Sequence, residues 1–302
     1  MTHAQNRTSL RRSLLYVPGS SSRMIAKSLQ IDADAIIFDL EDSVSPSEKE
    51  DARKRVAEAI GPAKKTGKEI VVRVNLVGSH FGLHDIMEIV PCAPDTLIIP
   101  KADEAAMVTA DTMVGAIEAQ LGWRPGAIKF IPLMETAGSI TNAVAIVNAA
   151  TRIDGLQFGA EDLTKDLGIV RTDTGDELQH ARSVLAFAGR AHGIDVIDSP
   201  FVAIANTSGL IDETRRVKAL GMTGKTCIHP NQVAVVNEVF SPTPEEVAEA
   251  RRIVEAFDQS LREGKGACSL DGKMIDTPIA ERARQIIGKA ELIVARQDVA
   301  GV

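Results

Sequence analysis

Two acidic side chains stand out because each closely follows an apolar run. Glu135 follows residues 130–134, and Asp162 follows residues 155–159. On neighbouring strands these carboxylates would lie close together, and with no obvious cation partner such a pair either raises one pKa or binds a metal. Carboxylate, water and substrate oxygens are the ligands that Mg²⁺ prefers. The pair predicts a magnesium site, with helix capping as the alternative; spacing does not decide between Asp162 and its neighbour Glu161.

Two cations occupy comparable positions at the ends of apolar runs. Arg73 is expected to point into the fold, where its guanidinium could bind a substrate carboxylate or carbonyl, or form an ion pair with Asp39 or Glu41. Lys101 could form a Schiff base with a carbonyl substrate, which would make the protein a metal-free aldolase, or it could serve as an ion-pair partner.

Weaker signals come from the N-terminal cations and the histidines. The cations are Arg11, Arg12, Arg23 and Lys27. Arg23 and Lys27 follow a Gly/Ser loop at residues 19–22. This arrangement suits phosphate but also fits an ordinary solvated helix start. His229 precedes a proline and could bind substrate, act as a base or be structural. The roles of His80 and His84 stay open.

Eight short apolar runs must position these residues. The predicted strands are residues 13–17, 35–40, 70–75, 96–100, 128–133, 155–159, 195–197 and 224–228. Continuous apolar runs are typical of parallel strands covered on both faces, and a helical pattern follows each one. Eight such units predict a (β/α)8 TIM barrel with chemistry at the C-terminal ends of its strands; a doubly wound open sheet is the rival.

The barrel is predicted to cover residues 1–240, with a C-terminal extension at residues 241–302. That extension contains a long helix, a Gly-rich stretch at residues 263–267, a loop and a last helix from about 278 to 296. Capping boxes are predicted at residues 45–48 and 243–246, where Ser or Thr stands three residues before Glu.

Composition excludes several classes of protein. The 302 residues are 44% hydrophobic and 25% charged, with a net charge of −7. No global basic field favours nucleic acid or an anionic membrane. The three cysteines lack metal-site or disulfide spacing, and no apolar run reaches the length of a membrane span or a secretory signal. A cytoplasmic protein is expected.

Six segments resemble the family of the citrate lyase beta-subunit and malyl-CoA lyase. They are RSLLYVPG at 12–19, IFDLED at 37–42, VRVN at 72–75, LMET at 133–136, GAEDL at 159–163 and GKMID at 272–276. They occur in order over nearly the whole chain. The resemblance implies a (β/α)8 barrel that uses Mg²⁺ to cleave a 3-hydroxy acyl-CoA thioester, such as malyl-CoA or citramalyl-CoA, to acetyl-CoA and a 2-oxo acid.

The resemblance also implies roles for individual residues. Glu135 and Asp162 resemble the metal ligands, and Arg73 the residue that polarises the substrate. The backbone from Ala160 through Glu161 to Asp162 is similar to the cradle for the substrate carboxylate. Asp276 is similar to a catalytic acid/base. Asp39, Glu41 and Lys101 are possible supporting residues, and Arg23 and Lys27 possible CoA ligands.

The same resemblance implies an oligomer. Members form homotrimers or hexamers in which the C-terminal segment closes as a lid over a neighbouring subunit's site. Two alternatives remain within the family: a citryl-thioester lyase subunit that works with an acyl carrier protein, and a malyl-CoA thioesterase.

Overall fold

Eight parallel strands close into a barrel in chain order, which confirms the predicted (β/α)8 fold. The computed structural model describes residues 10–172 and 174–300, with side chains to residue 296. The strands are β1 Ser13–Pro18, β2 Ala35–Asp39, β3 Glu69–Arg73, β4 Thr96–Ile99, β5 Lys129–Met134, β6 Gly155–Phe158, β7 Asp195–Asp198 and β8 Gly224–Cys227. Because Ser13 on β1 pairs with Lys225 on β8, the sheet has no open edge, and the doubly wound alternative is wrong.

Helices follow every strand and cover the outside of the barrel. They are α1 Ser22–Ser28, α2 Lys49–Lys64, α3 His80–Ile89, α4 Glu104–Gln120, α5 Ala137–Thr141, α6 Ala143–Asn148, α7 Ala160–Leu167, α8 Gln179–His192, α9 Thr207–Ala219 and α10 Pro230–Phe240. Short 3₁₀ helices occupy Pro46–Glu48, Val90–Cys92 and Asp176–Leu178. None of the helices in the described part of the chain combines the length and apolar character that crossing a membrane requires.

Side chains alternate along each strand between the barrel interior and the helices. The interior is filled by a cluster that includes Leu14, Ile37, Val71 and Ile131, whereas the residues between them pack outward in the larger core. Because this alternation has a period of two, Arg73 shares the inward face of Val71. The strand pattern alone therefore directs its guanidinium into the upper end of the barrel.

Arg11 lies at the opposite end of the barrel, where the strands begin. It is 4% exposed and hydrogen-bonds Glu69 at 2.7 and 2.8 Å and Asp154 at 3.0 Å, and it lies 3.6 Å from Asp195. Buried in these ion pairs, Arg11 is unavailable to a phosphate. Its role is to hold three strand starts together.

The chain divides into a first unit, Met1–Phe240, and a second unit, Ser241–Val302. This unit contains α11 Pro244–Arg262, an antiparallel hairpin of β9 Cys268–Leu270 and β10 Lys273–Ile275, and α12 Thr277–Ala300. Phe257, Ile275 and Ala280 form its apolar centre. The segment predicted as a loop is therefore a short hairpin, whose backbone groups are paired.

The two predicted capping boxes have different outcomes. At α11 the Thr243 hydroxyl accepts from the Glu246 N–H at 3.1 Å, and the Glu246 carboxylate accepts from the Thr243 N–H at 2.8 Å, so this box is confirmed. The box at Ser45 is wrong: its hydroxyl donates to the Glu48 carboxylate at 2.8 Å, and the following turn is a 3₁₀ helix. The α-helix there begins only at Lys49.

Candidate active site

A cavity of about 450 Å³ opens at the C-terminal ends of the barrel strands. Its walls come from the ends of several strands and from the start of α7, as expected for a barrel of this type. The acidic and basic lining residues are Asp39, Asp42, Arg73, Glu135, Glu161 and Asp162. All of them except Asp42 were singled out from the sequence, and the structure brings them to one cavity.

Glu135 and Asp162 converge on one ammonium group, that of Lys101. The Lys101 Nζ lies 3.1 Å from Asp162 Oδ1 and 3.7 Å from Glu135 Oε1. The expectation that the two carboxylates lack a cation partner is therefore wrong. Although burial lowers the pKa of Lys101, the charges of Glu135 and Asp162 raise it above its ordinary value. An amine held in its charged form is a poor nucleophile, which disfavours the Schiff-base alternative.

The backbone at Lys101 also orients Glu135. Lys101 has a φ of 46°, in the left-handed region that a non-glycine residue rarely occupies, and its N–H donates to Glu135 Oε1 at 2.8 Å. Backbone of this kind costs about 1–3 kcal/mol and tends to occur at functional sites. One oxygen of Glu135 is thereby fixed in place.

Glu135 is seated closely against the neighbouring strand. It is 3% exposed, and a Cβ built on Gly159 would lie 2.5 Å from the Glu135 Cβ and 3.0 Å from its Oε2. Only glycine leaves room for this carboxylate. Burial raises the pKa of Glu135 to about 7, although the Lys101 charge counteracts part of the rise.

Glu161 and Asp162 have different cation partners, which resolves the ambiguity left by their adjacency. Asp162 contacts Lys101, whereas Glu161 is hydrogen-bonded by Arg171. Because only Asp162 shares a cation with Glu135, it is the better candidate for the second metal ligand.

Arg73 is held by three carboxylates, one at the end of β2 and two in the loop after it. Its Nε and Nη2 donate to Asp39 at 2.7 and 2.8 Å, and its Nη1 donates to Asp42 at 3.1 Å. Nη1 also lies 3.0 Å from Glu41, and the guanidinium stacks 4.9 Å above the Tyr16 ring. The ion-pair interpretation of Arg73 is confirmed. A guanidinium has five N–H donors, and these three hydrogen bonds leave others for a ligand.

The carboxylates around Arg73 differ in proton affinity. Burial would raise the pKa of Asp39, but the hydrogen bonds and charge of Arg73 lower it below its ordinary value. Burial raises the pKa of Glu41 to about 8, against the attraction of Arg73. The Oε2 of Glu41 is buried and has no hydrogen-bond partner of suitable geometry among the described residues. Asp39 is therefore the charged partner that orients Arg73.

The residues present fit a hard divalent cation held by two carboxylates. No group of three His, Cys, Asp or Glu residues in the described ranges could hold a metal, so a protein-only cage is excluded there. Mg²⁺ commonly binds through one or two carboxylates and fills its remaining positions with water and substrate oxygens. The Lys101 ammonium already marks a point where positive charge is stabilised by Glu135 and Asp162.

Five other predicted site residues of the first unit are not among those that line this cavity: Arg23, Lys27, His80, His84 and His229. Arg23 and Lys27 are exposed on α1, one helical turn apart. The His229 Nδ1 accepts from the Asn231 N–H at 3.2 Å, which supports a structural role. His80 and His84 contact each other on α3. Asp276 lies in the second unit, where its Oδ1 accepts from the Ile279 N–H at 3.3 Å at the start of α12.

A buried ionic cluster behind the cavity was missed from the sequence. Lys225 is fully buried and donates to Asp198, to Glu213 at 2.7 Å and to the Ser199 carbonyl at 2.8 Å. Arg182 donates to Asp198 at 2.8 Å and lies 3.3 Å from Glu213. The lysine inside a strand was an available signal, because a buried lysine requires paired carboxylates. The cluster fixes the end of β7 and the next residue, Ser199, which lines the cavity.

Comparisons with known proteins agree with this fold. The family described as HpcH/HpaI aldolase/citrate lyase matches residues 12–230. A citrate lyase subunit beta from Escherichia coli strain K12 is 37% identical over 97% of this chain and 98% of its own. A (3S)-malyl-CoA thioesterase from Cereibacter sphaeroides is 36% identical over 94% of this chain and 96% of its own. The crystal structure of CitE from Mycobacterium tuberculosis in complex with magnesium, acetoacetate and coenzyme A superposes with a TM-score of 0.74 and 29% identity, covering 94% of this chain and 99% of that one.

Proposed function

The chain belongs to the HpcH/HpaI aldolase/citrate lyase family, and on that premise we propose that it is a magnesium-dependent carbon–carbon lyase. The proposed substrate is a 3-hydroxy acyl-CoA thioester of the malyl-CoA or citramalyl-CoA type, cleaved to acetyl-CoA and a 2-oxo acid. The observation that carries the proposal is the convergence of Glu135 and Asp162 on one cation position at the barrel mouth.

The proposed metal site uses Glu135 and Asp162 as its protein ligands. Bound there, Mg²⁺ would supply a Lewis acid for the substrate's hydroxyl and carboxylate oxygens. Gly159 and the Lys101 N–H hold Glu135 in place. Support for this metal comes from the related Mycobacterium tuberculosis protein, whose structure is described as a complex with magnesium, acetoacetate and coenzyme A.

Two features of the chain would bind and stabilise the reacting groups. The first N–H groups of α7, from Ala160 to Asp162, have no intrahelical acceptors and could cradle the substrate carboxylate. Arg73 faces the same cavity and would stabilise negative charge on the thioester oxygen as the carbon–carbon bond breaks. Its bidentate bond to Asp39 fixes the guanidinium before substrate arrives.

Asp276 is the proposed acid/base for the acetyl carbon. It would come from the second unit of a neighbouring subunit in a homotrimer or hexamer, acting as part of a lid. A carboxylate can move a proton at carbon once it is placed within hydrogen-bond reach. Arg23 and Lys27, exposed on α1, are proposed contacts for CoA phosphates.

Thioester hydrolysis is the second candidate function. The identity to the (3S)-malyl-CoA thioesterase, 36%, is nearly equal to that to the citrate lyase subunit, 37%. Because one relative is a citrate lyase subunit beta, a citryl-thioester lyase subunit that works with an acyl carrier protein is a related alternative. These activities share binding residues but differ in their products.

A panel of malyl-, methylmalyl-, citramalyl- and citryl-CoA with Mg²⁺ distinguishes these functions. The lyase releases a 2-oxo acid together with acetyl-CoA, or with propionyl-CoA from methylmalyl-CoA, and both products are measured. Free CoA without a 2-oxo acid would replace the lyase proposal with a thioesterase. Turnover only on an acylated carrier protein would establish the carrier-dependent subunit, and no loss of lyase turnover on chelation would refute the metal assignment.

A further inference from the structure

Consecutive carboxylates begin α7, and both line the cavity. The Asp162 carboxylate lies 3.1 Å from the ammonium of Lys101, and Glu135 lies 3.7 Å from the same ammonium. The Glu161 carboxylate instead pairs with the guanidinium of Arg171. The two adjacent acids therefore pair with two different cations.

Arg171 is fixed in place by contacts other than Glu161. Its side chain is 12% exposed, and its Nη2 donates to the Pro200 carbonyl at 3.3 Å. The same nitrogen lies 3.7 Å from Glu213, a buried carboxylate that is also bound by Lys225. The contacts with Glu213 and Pro200 do not involve Glu161, so Arg171 has anchors of its own, whereas the Glu161 side chain is 60% exposed.

We infer that Arg171 is a positioning residue that keeps the Glu161 carboxylate out of the metal coordination sphere. The site then presents two carboxylates rather than three to a divalent cation. This inference rests on the metal site of the proposed function. It assigns Arg171 no contact with substrate or metal.

The number of carboxylates affects which cation the site prefers. Mg²⁺ is small, keeps several waters and needs near-octahedral geometry, so two carboxylates suit it. Ca²⁺ accepts six to eight oxygens in flexible geometry, so an additional carboxylate favours it. Arg171 thus biases the site towards Mg²⁺ and against Ca²⁺.

The test measures the dissociation constants of Mg²⁺ and Ca²⁺ by calorimetry on the full chain without substrate. In Arg171→Met the freed Glu161 joins the site, and the affinity ratio should move towards Ca²⁺ by about tenfold or more. Adding Glu161→Gln to that variant should return the ratio to within about twofold of the wild type. A general loosening of the fold would not be reversed by the second substitution.

Arg152→Met is the matched control. Arg152 is equally enclosed, with a side chain 5% exposed and ion pairs to Asp111 and Glu118, but it does not line the cavity. Its loss should lower stability and leave the cation ratio unchanged. An equal shift of the ratio in this variant would overturn the inference.

Other outcomes would also overturn the positioning role inferred for Arg171. An unchanged ratio in folded Arg171→Met, or a shift that survives Glu161→Gln, overturns the inference. If Arg171→Met does not fold, the single variants decide: Glu161→Gln should keep the Mg²⁺ affinity within about twofold, whereas Asp162→Asn should lose about tenfold or more. Equal losses would make Glu161 a ligand. A wild-type protein that binds neither cation refutes the proposed function itself, whereas binding with an insensitive ratio refutes only the role of Arg171.

Discussion

At the scale of single residues, burial controls the charge of the carboxylates that the proposed reaction needs. Glu135 has a pKa raised to about 7, whereas Asp39 is kept charged by Arg73. Burial raises the pKa of both acids, but only at Asp39 do the hydrogen bonds and charge of a guanidinium outweigh it, so the two pKa values shift in opposite directions. The raised pKa of Glu135 makes metal binding sensitive to pH.

The affinity for Mg²⁺ should rise as pH rises through about 7. Glu135 must lose its proton to bind a cation, and its pKa of about 7 places that loss near neutrality. Below that value the apparent dissociation constant should increase by up to about tenfold for each pH unit. Calorimetry between about pH 6 and pH 8 measures this dependence. Glu135→Gln should bind weakly with no such dependence, and a wild-type affinity independent of pH would contradict the assignment of Glu135.

Gly159→Ala should disrupt the site while leaving the barrel folded. The new Cβ would lie 2.5 Å from the Glu135 Cβ, so the carboxylate must shift. Displacing a metal ligand should lower lyase turnover by roughly 10²–10³, comparable to the loss of an oxyanion donor. Turnover and Mg²⁺ affinity are measured together, and both should fall.

Gly61→Ala is the control for that substitution. Gly61 lies within α2, and apart from its chain neighbours and its own helix nothing lies within 4 Å of its added Cβ. Alanine is favoured over glycine in a helix by about 1 kcal/mol, but a Cβ directly before Pro62 is disfavoured. The two effects oppose each other, so this variant should stay within about 1 kcal/mol of the wild-type stability, with normal activity. A Gly159→Ala variant with the same behaviour would show that the space beside Glu135 is not needed.

At the scale of elements, the strands could be predicted from the sequence, whereas most pairings of polar side chains, other than that of Arg73, could not. Each barrel strand is a local apolar run, so its position is visible without knowledge of its neighbours. Lys101 and Asp162 are 61 positions apart, and only the closed barrel brings them together. The same holds for Lys225 and Asp198, whose contact depends on adjacent strands. Sequence patterns indicated the charged residues of the candidate site, including Lys101, but not that Lys101 pairs with Glu135 and Asp162.

The two predicted capping boxes provide a test at this scale. Thr243→Ala removes a formed cap from α11 and should cost about 1 kcal/mol. Ser45→Ala removes a hydroxyl that contacts Glu48 but caps no backbone N–H, and should cost less than about 0.5 kcal/mol. Chemical denaturation followed by circular dichroism compares the two. Equal costs would indicate that the α2 box forms in solution after all.

At the scale of the whole molecule, the two ends of the barrel serve different purposes. The N-terminal end is closed by Arg11 with its buried acids, whereas the C-terminal end opens into the cavity. The acidic and basic side chains that line this cavity are five carboxylates and one arginine: Asp39, Asp42, Glu135, Glu161, Asp162 and Arg73. An anionic thioester would meet repulsion there, so a divalent cation would serve substrate binding as well as catalysis.

Complementation between subunits tests whether the second unit of one chain completes the site of another. Glu135→Ala and Asp276→Ala should each be nearly inactive as homo-oligomers. In a random mixture of the two chains, half the barrels keep Glu135, and half of their neighbours supply an intact Asp276. About a quarter of the wild-type turnover should therefore return after co-expression. If Asp276 served the barrel of its own chain, every site in the mixture would lack one group, and turnover would stay at the level of the single variants.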